Sequence, residues 1–421
     1  MASMNILVFN PGSSSLRFGC YEVASKRDSS FPSQFLVGGH IEKIGAEDAQ
    51  IIWDSSERKN QPITADTTAR AAKEVIRRLR ESSALTPALD SIDAVGCRVV
   101  HGGNKFQGPE LVTDRVLKDI RELAELAPLH NASDADVIET VCAAFPNRPV
   151  VAVFDTVFHR TLPAAAATYA LPVQLSERYH LRRYGFHGIA HQFVSARLSQ
   201  NIGPRPQGTR LITCHLGNGA SVCALRNGES IDTSMGLTPL EGLVMGTRSG
   251  DLDPGLVLYL LRVAGLTVAE VEDLLNHQSG LRGLFDGRSS DVRDITSAAA
   301  DGDRHAELAL EIFCYRITKY IGAYSAALEG LDAIAFSGGI GEHSAIVRAR
   351  VCQRLRFLGL ALDEERNASA DGRTEAALHK ETSVVQAWLI PANENLQIAR
   401  EIQDFLRAAS KGRALPRRNR P

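Results

Sequence analysis

The sequence predicts an α/β protein of two related domains, on three observations. Short apolar strands alternate with amphipathic helices along the chain. The 421 residues exceed one ordinary core, and their 44% hydrophobic content and 34 glycines suit a globular enzyme. Finally, a unit of strand, small Gly/Ser turn and strand occurs once in each half, as expected of a duplicated domain.

In order, Ile6–Phe9 is an apolar run stopped by Asn10-Pro11-Gly12, and the alternation over 16–23 completes an opening β-hairpin. Residues 69–81 read as a helix, 92–100 as a buried strand ending in His101-Gly102-Gly103, and 115–126 as an amphipathic helix. The apolar run 150–154 is a strand closed by Asp155. The second half repeats the hairpin at 211–225 around His215-Leu216-Gly217-Asn218-Gly219-Ala220-Ser221. A further strand, 333–336, meets Ser337-Gly338-Gly339-Ile340-Gly341-Glu342 before a helix over 346–357, and 396–406 is a closing helix. The expected domains are 1–154, completed by the C-terminal helix at about 392–407, and 155–391, with 408–421 a disordered basic tail.

Composition excludes several classes. A formal net charge of -2 gives no general attraction to nucleic acid or anionic lipid. Seven scattered cysteines without a C-x-x-C pair disfavour a disulfide framework and a zinc site. The N-terminus enters a strand directly, with no leader pattern, and no apolar run reaches spanning length, so the expected location is the cytoplasm. P-loop, dinucleotide, zincin and serine-hydrolase signatures are absent.

What remains is three Gly/Ser-rich turns after apolar strands, at 10–15, 215–221 and 337–342. One such turn is usually only a turn; three point to phosphate, because free backbone N–H groups favour anions. Arg98 interrupts an apolar strand and Arg248 sits in a glycine-flanked loop. A structural ion pair accounts for Arg98 as readily as a ligand does, whereas Arg248 reads as a binder of carboxylate or phosphate. His130 and His187 are each read first as structural donors. The i, i+4 pair His187 and His191 lacks the accompanying carboxylate that a metal site calls for.

At these residues the chain resembles the acetate kinase family of the acetate and sugar kinase, Hsp70 and actin superfamily. The similarity runs from Asn5 to about Leu406. It includes Asn-x-Gly-Ser-Ser-Ser-Leu from Asn10, Arg-Val-Val-His-Gly-Gly from Arg98 and Pro-Leu-His-Asn from Pro128. Phe-Asp-Thr from Phe154, Tyr-Gly-Phe-His-Gly from Tyr184 and His-Leu-Gly-Asn-Gly-Ala-Ser from His215 follow. Asp-Thr-Ser-Met-Gly from Asp232, Gly-Thr-Arg-Ser-Gly-Asp from Gly246 and Gly-Gly-Ile-Gly-Glu from Gly338 complete the set. Pro11, Arg17, Cys97, Ala132 and Ile189-Ala190 depart from the family's usual residues, and none of these changes removes a charged catalytic group.

The resemblance implies a duplicated ribonuclease-H-like (actin-like ATPase) α/β fold with an interdomain catalytic cleft, a homodimer, and transfer of the ATP γ-phosphoryl group to acetate. It assigns Asn10 and Glu394 to Mg²⁺, for which Mn²⁺ could substitute, and Asp155, His187 and Arg248 to catalysis. Arg98, Val100, Leu129, His130, Phe186 and Pro239 match the acid's site. Ser13, Ser15, Arg17, His215, Leu216, Gly217, Asn218, Gly219, Asp291, Val292, Arg293, Gly339, Ile340, Gly341, Glu342 and His343 match the ATP/ADP site. Because a carboxylate acceptor is already ionised at neutral pH, Asp155 is expected to orient its neighbours rather than act as a base. Propionate or butyrate as the acid is the nearest alternative, since one methylene is worth only about 1–3 kcal/mol. A non-catalytic actin-like nucleotide switch is the alternative from another class.

Overall fold

The protein is described here from a computed structural model that covers residues 3–12, 14–24, 33–54, 60–81, 91–127 and 130–412. The chain forms two compact units, one ending at Val157 and resuming at Asn393, the other spanning Phe158–Ala392.

In the first unit, β1 (Met4–Pro11) and β2 (Leu16–Val23) form the expected hairpin, and β3 (Gln34–Glu42), β4 (Gln50–Trp53) and β5 (Gln61–Pro62) extend it antiparallel. On the other side of β1, β6 (Ala94–Val99) and β8 (Val150–Phe154) run parallel, and β7 (Glu110–Leu111) pairs antiparallel with β8. The sheet order is β5-β4-β3-β2-β1-β6-β8-β7. β1 is central, which explains its unbroken Ile6-Leu7-Val8-Phe9 run: each of these residues is fully buried. The helices Thr68–Glu81 and Asn131–Ala144 pack together, burying Val75, Leu79, Ile138 and Val141.

The helix Glu394–Gly412 lies against β1, β2 and β6. Gly96 permits the approach, since a Cβ there would fall 2.2 Å from Ile402 Cδ1. The helix outruns the expected 396–406: residues 408–412, read from sequence as disordered tail, are helical, because Ala408 and Ala409 are strong helix formers. Residues 413–421 of that tail lie outside the described residues.

The second unit repeats the plan. β9 (Arg210–Leu216), β10 (Ala220–Arg226) and β11 (Glu229–Thr233) form an antiparallel meander. β12 (Ala333–Ser337) runs parallel to β9, β14 (Gln386–Leu389) parallel to β12, and β13 (Ala376–Ala377) antiparallel at the edge. The order β11-β10-β9-β12-β14 matches β3-β2-β1-β6-β8 strand for strand. The two units thus share one sheet plan, as expected of a duplicated ribonuclease-H-like fold. The Gly338 turn is itself a short helix, Gly338–His343, and the helix after it is Ala345–Arg354, ending three residues before the expected Phe357.

Candidate active site

Four side chains of the first unit converge at the C-terminal ends of its central strands. Arg98, near the end of β6, donates from Nη2 to Asp155 Oδ2 at 3.0 Å and from Nη1 to Pro11 O at 3.1 Å. Burial opposes the charged guanidinium, but Asp155, Glu394 and Asp134 outweigh it and raise its pKa. Asp155 was expected to open the second domain, yet it belongs to the first unit, immediately after β8. Asn10, near the end of β1, donates from Nδ2 to Glu394 Oε2 at 2.7 Å. Glu394 stands at the start of the closing helix, where Asn393 Oδ1 accepts from Leu396 N. Arg17 is the direct cross-strand partner of Asn10 and is exposed. Ser15 O accepts from Gly12 N at 2.8 Å, tightening the turn between them. Val100 is buried, and His130 caps the helix Asn131–Ala144 through its backbone. Ser13 and Leu129 lie outside the described residues.

In the second unit, His187 precedes the helix Gly188–Ile202 in a left-handed conformation (φ 56, ψ 26). Its Nδ1 lies 2.9 Å from Ser221 Oγ. A Cβ on Gly219 would fall 3.3 Å from His187 Nε2 and 3.7 Å from Arg248 Nη1, so a bare glycine leaves both groups accessible from the hairpin turn. Arg248 is held by Pro239 O at 3.3 Å and makes no ion pair among the described residues; burial lowers its pKa. An unpaired, desolvated guanidinium beside an imidazole is a receptor for an anion. His215, on β9, stacks at a tilt 4.8 Å from His187, and its Nδ1 is 3.3 Å from Ser337 Oγ. Phe186 is buried just before His187, where Phe186 O accepts from His159 Nε2 at 3.0 Å.

A cavity of about 740 Å³ opens in the same unit. Gly217, Asn218, Asp291, Val292, Arg293, Gly339, Ile340 and His343 line it, all of them expected nucleotide residues, together with Ser290, Thr296, Ser344, Ala345 and Ile346. Asp291 caps the helix Val292–Ala300 through Arg293 N and pairs with the Arg293 side chain at 2.5 Å. His215, Leu216, Gly219, Gly341 and Glu342 do not line the cavity. Glu342 is turned to structural use: its Oε1 accepts from Gly338 N at 2.9 Å and Ala392 N at 3.0 Å.

The pattern of the acetokinase family matches residues 5–400. The chain belongs to the acetokinase family. Across 405 residues it is 44% identical to the acetate kinase of Thermotoga maritima, covering 96% of this chain and 99% of that one. It is equally similar, at 44% over 412 residues, to acetate kinase 2 of Clostridium perfringens, covering 97% and 100%. Among solved structures it resembles the acetate kinase of Porphyromonas gingivalis (TM-score 0.85, 36% identity, 96% of this chain and 100% of that one). It is also similar to a propionate kinase of Francisella tularensis (TM-score 0.84, 37% identity, 94% and 98%).

Several residues of this acetokinase escaped the sequence reading. Asn131 Oδ1 accepts from His101 N while its Nδ2 donates to His101 O, fastening the loop after Arg98 to the helix Asn131–Ala144. Asp134 Oδ2 accepts from Val100 N at 2.9 Å, and burial raises this carboxyl to about 7 despite Arg98. Arg348, fully buried, donates to Gly341 O, Glu342 O, Asn367 O and Asn367 Oδ1, and so holds the Gly338–His343 turn from behind. The only local hint was a charge within the apolar face Ile346, Val347 and Val351. His187 and His191 meet at one hydroxyl, Ser221, and among the described residues no group of three potential ligands could hold a metal ion through His, Cys, Asp or Glu.

Proposed function

We propose that this acetokinase transfers the γ-phosphoryl group of ATP to acetate, reversibly giving acetyl phosphate and ADP. The observation that carries the chemistry is the closeness of His187 Nε2 and the Arg248 guanidinium, which has no carboxylate partner among the described residues, around the side-chain-free Gly219. Phosphoryl transfer asks a protein mainly to align reactants and neutralise charge, and cationic and N–H donors of this kind do both. A carboxylate oxygen of the acid attacks the γ-phosphorus, and the bond from that phosphorus to the β–γ bridging oxygen breaks as ADP departs. The acid arrives ionised, so no base is needed.

Arg98 takes the acid's carboxylate, and Asp155 orients Arg98. The 3.0 Å bond between them supports the orienting role over that of a base. By resemblance to the family, Val100, Leu129, Phe186 and Pro239 are assigned to the acid's methyl group, and His130 to the same acid. The 740 Å³ cavity takes the nucleoside between Asp291–Arg293 and Gly339–Ile340, and the resemblance to the family assigns Ser15 and Arg17 to nucleotide phosphates.

Asn10 and Glu394 fit a Mg²⁺ or Mn²⁺ ion that arrives with the nucleotide. They offer one amide and one carboxylate, and the neighbouring Asn395 Oδ1 is buried without a hydrogen bond among the described residues. Such a sparse oxygen set suits an ion that keeps waters and substrate phosphates as its other ligands. The ion, when bound, supplies charge neutralisation at the phosphates.

A second copy of the chain is the proposed partner. The helix Pro254–Arg262 buries none of its residues, although its sequence is PGLVLYLLR, and Leu256, Leu258, Tyr259 and Val263 are 41–65% exposed. Apolar surface of this kind marks an interface.

The direct assay traps acyl phosphate as hydroxamate from ATP, Mg²⁺ and acetate, propionate or butyrate. Specificity highest for acetate is expected. Formation from none of the three acids overturns the reading, and a higher specificity for propionate reassigns the acid.

A further inference from the structure

Behind His187 the second unit contains a chain of hydrogen bonds. Thr213 Oγ1 lies 2.7 Å from His191 Nδ1, His191 Nε2 lies 2.8 Å from Ser221 Oγ, and Ser221 Oγ lies 2.9 Å from His187 Nδ1. Thr213 and Ser221 are fully buried and His191 is 1% exposed. The geometry follows from the fold: Thr213 is on β9, Ser221 lies on β10 two pairs along and so on the same face, and His191 lies one helical turn after His187.

A hydroxyl carries one proton, so Ser221 can donate to only one of its two imidazoles and must accept from the other. Burial holds His191 neutral, with the neighbouring His159, His215 and His187 adding to the effect, so His191 also brings a single proton. Two arrangements of protons remain. If His187 donates from Nδ1, then Ser221 donates to His191, and His191 donates to Thr213. The proton of Thr213 then has no acceptor, because His191 is the only partner of its hydroxyl among the described residues. In the opposite direction Thr213 donates to His191 Nδ1, His191 Nε2–H to Ser221, and Ser221 to His187 Nδ1. Every buried proton is then used, and buried donors are almost always satisfied.

We propose that Thr213, His191 and Ser221 are positioning residues that hold His187 as the neutral tautomer with its hydrogen on Nε2, aimed toward Gly219 and Arg248. The relay supplies a donor for anionic phosphoryl oxygens without protonating the ring, and it opposes protonation at Nδ1, which would require Ser221 to turn around. The inference rests on the phosphoryl-stabilising role proposed for His187.

The test uses ¹⁵N-histidine-labelled full-length protein together with steady-state kinetics. In the wild type, His187 Nδ1 is expected to resonate as an unprotonated nitrogen and Nε2 as a protonated one. Ser221→Ala should mix the tautomers and lower kcat about tenfold with KM for ATP and acid little changed, the pattern of a lost transition-state contact. Thr213→Val should lower kcat in the same sense and Thr213→Ser should restore it, which keeps the idea testable if Ser221→Ala folds poorly. A protonated Nδ1 in the wild type, or a His187 tautomer unchanged in both Ser221→Ala and Thr213→Val, overturns the relay. His187→Asn separates the two claims: full activity in that variant removes the role of His187, whereas lost activity alongside an unchanged tautomer in Ser221→Ala removes only the relay.

Discussion

Arg98 and Asp155 form a buried ion pair, Nη2 to Oδ2 at 3.0 Å, with side chains only 13% and 2% exposed. Removing one partner strands the other charge in a low-dielectric site. Asp155→Ala should therefore cost about 3–5 kcal/mol in urea unfolding. Asp155→Asn, which keeps the shape, should lower kcat without adding or removing an ionisation in the pH–rate profile. Loss of an acidic-limb pKa in that variant would restore the base role.

Arg248 shows the opposite balance. It is desolvated and makes no ion pair among the described residues, so its burial weakens the fold. Arg248→Ala should lower kcat by about 10²–10³, as for removal of one preorganised donor. Its Tm should stay level or rise. Arg248→Lys should recover little, since a point charge cannot reproduce the planar fork.

Asp134 and Glu401 give the first unit a pH-dependent stability. Burial raises both carboxyls to about 7, from ordinary values of 3.8 and 4.5. Between roughly pH 4 and 7 the folded chain thus binds more protons than the unfolded chain, so these groups make stability fall as pH rises, by about 1.4 kcal/mol per unit for each group. Chemical denaturation of Asp134→Asn across this window should show about one proton less of that slope.

Arg348 supplies four donors to carbonyl and amide oxygens around the Gly338–His343 turn. Arg348→Ala should destabilise the protein by about 3 kcal/mol or more, because several buried acceptors lose their donors at once. The variant that remains folded should show a raised KM for ATP with a smaller change in kcat.

If the helix Pro254–Arg262 is covered by a second copy, the double variant Leu258→Glu and Tyr259→Glu should run as a monomer in light scattering at concentrations where the wild type is a dimer. Neither residue is buried within the chain, so the monomer should keep its helical content. A wild type that is monomeric on its own sinks the proposed interface.

The sequence by itself determined the strands β1, β2, β6, β8, β9, β10 and β12, the duplicated hairpins and the Gly/Ser-rich turns. These depend on local signals: an unbroken apolar run such as Ile6–Phe9 reports a strand buried on both faces, and a glycine turn closes it. It also marked Arg98 and Arg248 as anomalies, since a charge in apolar or glycine-flanked surroundings is visible within a few residues. It could not say that Arg98 is satisfied by Asp155, 57 positions away, and that Arg248 pairs with no carboxylate among the described residues. Nor could it tell that Glu342 braces Ala392 or that His187 and His191 share Ser221 rather than a metal. Those pairings join residues distant in the chain, and only burial, by removing water as the alternative partner, decides which polar group must satisfy which.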